Sequence, residues 1–107
     1  MKRRSDYQGW TNYETWAIAL WIDNDQGSQE YWHEIAREYS DGNSAMEDES
    51  SYRGSTVDLA DALKSEFEEM NPLSGDASVF SDLMGAALRE VDWRKIAASL
   101  IEDSQDY

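Results

Sequence analysis

The chain has 107 residues, no cysteine, and 23 acidic against 9 basic residues, for a formal net charge of −14. This length suits one domain with its own core. The missing cysteines exclude a disulfide framework, a thiolate nucleophile and a cysteine-based zinc site, and the acid excludes direct binding to nucleic acid or an anionic membrane.

Three of the nine basic residues are Lys2, Arg3 and Arg4, so the rest of the chain is more acidic still. Residues 1–9 read as a flexible basic N-terminus. No apolar stretch follows the basic start, so it does not match a secretory signal. The longest apolar run, Trp16 to Ile22, has seven residues, against roughly 20 for a membrane span. These features predict a soluble protein in the cytoplasm of a host cell. High charge favours disorder, but five Trp, six Tyr and two Phe with a single proline argue for a packed core.

The first element opens on Thr11-Asn12-Tyr13-Glu14, whose Thr and Glu fit a capping box. A helix over about 12–24 follows, apolar in every direction except at Glu14 and Thr15. A helix apolar all round is a buried one, so this segment is expected to be the hub of the fold. "DNDQGS" then breaks it, with Gly27 as a C-cap and Ser28 as the cap of a helix over 29–40. On that second helix Tyr31, Trp32, Ile35, Ala36 and Tyr39 share one side, and Glu30, Glu34 and Glu38 form a row on the other. Residues 41–54 show no period and read as an acidic loop.

Ser55 begins a third helix that runs to Met70, where Asn71-Pro72 stops it. Its apolar stripe is Leu59, Ala60, Leu63, Phe67 and Met70; Asp58, Asp61, Glu68 and Glu69 lie opposite. A fourth helix covers about 77–91. Asp92 caps a fifth from Trp93 to Ile101, striped by Trp93, Ile96, Ala97, Leu100 and Ile101, and residues 102–107 form an acidic tail. The expected fold class is all-α: a single compact domain of four to five helices packed around a buried N-terminal helix.

No chemical motif emerges. Asp23, Asp25, Gly27, Gln29 and Glu34 approximate an EF-hand frame, but the frame places its glycine where this chain has Ser28. An Asp-rich turn is the simpler reading. His33, the only histidine, has no second ligand and no nucleophile fixed beside it, and reads as a residue at the edge of the packing. Glu14 is the one carboxylate among aromatics, and capping accounts for it. Phosphate-loop, dinucleotide, serine-elbow and zinc-protease signatures are absent. The expectation is therefore no enzyme, no catalytic residue, no cofactor and no metal.

The acid is arranged in order. Like charges one helical turn apart cost roughly 0.2–0.5 kcal/mol per pair, so a surface shaped for solubility alone would alternate signs. Regular rows of carboxylates resemble the phosphate spacing of a nucleic-acid backbone and suit the basic cleft of a protein that binds one. The candidate contacts are Glu30, Glu34, Glu38, Glu47, Asp48, Glu49, Asp58, Asp61, Glu68 and Glu69. The plain alternative is a solvated face. A further alternative is an adaptor that binds through Tyr7, Trp10 and Tyr13, should these be exposed.

"GWTNYETWAIALWIDND" together with "VDWRKIAASLIED" resembles a group of small phage and mobile-element proteins. These carry a W-x-N-Y-E-T-W segment near the N-terminus and a W-x-x-I-A helix near the C-terminus. The resemblance covers both ends of the chain and implies a mobile-element origin, with no catalytic residue to carry across. Genes of that origin often encode inhibitors of host defence, among them acidic DNA mimics and anti-CRISPR proteins. It therefore implies a basic host nucleic-acid-processing protein as the partner.

Overall fold

The computed structural model describes residues 7–44 and 49–104, with side chains described for 7–40 and 55–104. Five helices follow in order: α1 (Tyr13–Asn24), α2 (Gln26–Ser44), α3 (Glu49–Met70), α4 (Val79–Glu90) and α5 (Trp93–Ser104). There is no strand among the described residues, and the all-α single domain expected from periodicity is the fold observed.

The core lies elsewhere than expected. The most extensive contacts join α2, α3 and α5 to one another. Trp32 and Ala36 of α2, Leu59, Ala60 and Leu63 of α3, and Trp93, Ile96, Ala97, Leu100 and Ile101 of α5 form one buried cluster. Each of these helices repeats its apolar residues at three- and four-residue steps, which sets one stripe against its neighbours. Trp32 stacks on Phe67 (6.2 Å between ring centres), and Phe67 meets Trp93 at 5.7 Å.

The first helix is not the hub. α1 buries only Thr15, Ala19 and Ile22, and leaves Tyr13, Leu20 and Trp21 exposed. It lies on the flank of the α2–α3–α5 core and buries one side of its all-round apolar surface. α4 buries no residue and leans mainly on α1.

Local starts and stops also differ from the expected caps. Asn12, not Thr11, caps α1, its side chain accepting from the Thr15 N–H at 2.9 Å. Asp25 rather than Ser28 opens α2: its Oδ2 accepts from the Ser28 N–H at 3.0 Å, and Gly27 lies within the helix. The acidic loop over 41–54 is largely helical, since α2 continues through residue 44 and α3 begins at residue 49; residues 45–48 lie outside the described residues. Ser55 is not a cap but a buried residue within α3, and its hydroxyl donates to the Tyr39 carbonyl at 3.1 Å. Of the basic N-terminus, residues 1–6 lie outside the described residues. Tyr7 to Trp10 make a turn through Gln8 and Gly9, both at positive φ. Glu102 to Ser104 extend α5, and the remainder of the acidic tail is outside the described residues.

Candidate partner-binding surfaces

The W-x-N-Y-E-T-W segment builds a clasp rather than a site. Thr15, fully buried, donates from its hydroxyl to Asn12 Oδ1 at 2.6 Å and accepts from the Asp92 N–H at 2.8 Å. Asn12 Nδ2 donates to the Glu90 carbonyl at 2.7 Å, and Thr11 Oγ1 donates to Asp92 Oδ2 at 2.7 Å. Asp92 also accepts from the Lys95 N–H, and so caps α5 as its sequence predicts. The start of α1 is thereby tied to the α4–α5 junction, directly before the Trp93–Ile96–Ala97 stripe. Both ends of the resemblance meet here, and every polar group named has a structural partner.

The three aromatics considered for docking are partly used up in the same region. Trp10 is half-buried against the core, and Tyr7 packs edge-on to Tyr13 at 6.2 Å. Of these three, only Tyr13 is exposed.

The acidic candidates are placed as rows. Glu30, Glu34 and Glu38 are all exposed on α2, on the side away from Trp32 and Ala36. Asp58, Asp61, Glu68 and Glu69 are exposed on α3, with exposed Lys64 between the two pairs. Glu47 and Asp48 lie outside the described residues, as does the side chain of Glu49, the first residue of α3. The two helices are antiparallel neighbours. Ser55 bonds Tyr39 near one end, and Tyr31 donates to Glu66 Oε1 at 2.9 Å near the other. Glu30 and Glu34 also line a shallow groove of about 350 Å³ with His33 and Arg37.

A second surface was not read from the sequence. Trp21 is 72 % exposed, Tyr31 45 % and Met70 55 %. With Ile22, Trp32 and Phe67 they line an open groove of about 550 Å³ at the junction of α1, α2 and α3, which also holds the carboxylates of Asp25 and Glu66. The Tyr31 hydroxyl is raised above its ordinary pKa of 10.0, first by its hydrogen bond to Glu66, then by desolvation, then by the negative charge of Glu66. The available signal was the all-round apolar character of α1. On a flanking helix such a pattern must leave one apolar side bare. α4 shows a similar row, with Val79, Phe80 and Leu83 each more than three-fifths exposed.

His33 is buried. Asp25 is engaged in starting α2, and among the described residues no three His, Cys, Asp or Glu side chains gather as a metal site would require. Among the same residues no helix is long and apolar enough to cross a membrane.

No curated protein and no solved structure matches the chain. One family model does, over residues 3–104, which is nearly the whole chain. The chain therefore belongs to the family described as "Family of unknown function (DUF7249)".

Proposed function

We propose that this protein is a non-enzymatic inhibitor of phage or mobile-element origin. It sets rows of carboxylates against the basic cleft of a host nucleic-acid-processing protein, acting as a nucleic-acid mimic in an anti-defence role such as anti-CRISPR or anti-restriction. One observation carries this reading. Glu30, Glu34 and Glu38 on α2, and Asp58, Asp61, Glu68 and Glu69 on α3, are all exposed on a chain of net charge −14. Like charges spaced by a helical turn oppose helix stability, so their retention fits a role in binding. Charge complementarity of this kind accelerates encounter and weakens with salt.

The test is capture of a host partner by the purified protein at low and at high salt, with duplex DNA as competitor. The wild type is expected to retain a nucleic-acid-binding protein at low salt and to release it on addition of salt or DNA. The triple variant Glu30→Lys, Glu34→Lys, Glu38→Lys is expected to lose that capture with its helical circular dichroism unchanged. Capture that survives the reversal ends this reading.

A further inference from the structure

We propose that the groove between the end of α1, the start of α2 and the end of α3 docks an arginine-bearing apolar segment of the partner protein. The proposal rests on the functional reading above and adds a discriminating contact to a basic partner that the acidic rows would otherwise recognise by charge alone.

The chemistry of the groove points to this occupant. Its exposed walls are Trp21, Tyr31 and Met70, with Phe67 behind them, and its two charges are Asp25 and Glu66. Among the described residues no lysine, arginine or histidine lines it. Aromatic faces beside carboxylates make a good surface for a guanidinium. The planar cation stacks on an indole or phenol ring while its N–H fork reaches a carboxylate. An ammonium is a compact, strongly hydrated charge and gains less from the same walls. Met70 and the bare face of Trp21 suit an apolar neighbour of that arginine, since thioether and indole adapt to varied shapes.

The charge of the molecule excludes the other occupants. A second copy would bring −14 against −14, and like charge on both partners opposes that pairing. A nucleic acid would bring phosphates to Asp25 and Glu66, which repel them.

The test is a heteronuclear NMR titration of the whole protein with a blocked synthetic peptide of leucine, alanine and arginine. One twin carries citrulline in place of arginine and a second carries lysine. The arginine peptide is expected to shift the Trp21 indole and Met70 methyl signals. The citrulline twin should bind about tenfold or more weakly, because it keeps the shape and loses the charge. The lysine twin should bind several-fold more weakly. Trp21→Ala, followed through Met70, should weaken the arginine peptide about tenfold. Glu66→Gln, which keeps an acceptor for Tyr31, should weaken it several-fold.

Three results would overturn the proposal: no groove shift at millimolar peptide, equal binding by the citrulline twin or by Trp21→Ala, or groove shifts that follow protein concentration without peptide, as a second copy would give. The titration reads the groove alone and the lysate capture reads the α2 row, so each can fail without the other.

Discussion

At the scale of single residues, Thr15 has the most consequential position. It is fully buried and bonds both Asn12 and the backbone of Asp92. Thr15→Val keeps the volume and removes both bonds, leaving the half-buried Asp92 N–H without its acceptor. The expected cost is about 1–3 kcal/mol, read from urea unfolding. None of this was legible locally. Thr11 and Glu14 satisfy the pattern of a capping box, but the Thr11 hydroxyl and the Asn12 amide N–H find their partners about eighty residues away, at Asp92 and Glu90. Tyr31 provides a pH-dependent readout. Its folded pKa is raised, with the Glu66 hydrogen bond the first cause. A raised pKa contributes stability that is fully present below the unfolded value of about 10 and is lost as pH climbs through the higher folded value. In an alkaline absorbance titration the Tyr31 phenol should therefore ionise above its ordinary range. Tyr31→Phe should delete that step, and Glu66→Gln should move it to lower pH.

At the scale of elements, a matched pair of leucines separates frame from flank. Leu63 of α3 is fully buried, whereas Leu83 of α4 is 62 % exposed. Leu63→Ala is expected to cost about 2–5 kcal/mol, and Leu83→Ala under about 0.5 kcal/mol, both by denaturant melts. The apolar stripes of α3 and α5 were legible because each faces one way: all five striped residues of α5 are buried. α1 was misjudged for the opposite reason. With apolar residues on every side, periodicity carries no direction, and burial on all sides cannot be told from burial on one side with the other left open. The ends of α2 and α3 were missed because Ser, Gly, Asn and acidic residues weigh against helix locally. Residues 41–44 and 49–54 are helical nonetheless, where continuation from packed turns outweighs weak propensity. The acidic rows were legible from spacing alone; the groove was not, since it needs three helices to make it.

At the scale of the whole molecule, charge and packing oppose each other. A net charge of −14 on a small fold repels itself, so raising ionic strength towards about 0.3 M should raise the melting temperature, a change differential scanning calorimetry can read. The architecture further divides the molecule into a tightly joined α2–α3–α5 frame and an α1–α4 flank, in which α4 contributes nothing fully buried. Opening free energies vary across a fold according to how much each part buries. The amides of α4 should therefore exchange with deuterium well before those of α3 and α5, and a protease should nick the 71–78 connection first. A chain cut there leaves α2 and α3 on one piece and α5 on the other, joined through the packing of α5 against α2 and α3, and both acidic rows and the groove lie on the α1–α2–α3 piece. The residues of α4 that face solvent, Val79, Phe80 and Leu83, could therefore change without disturbing either the acidic rows or the groove.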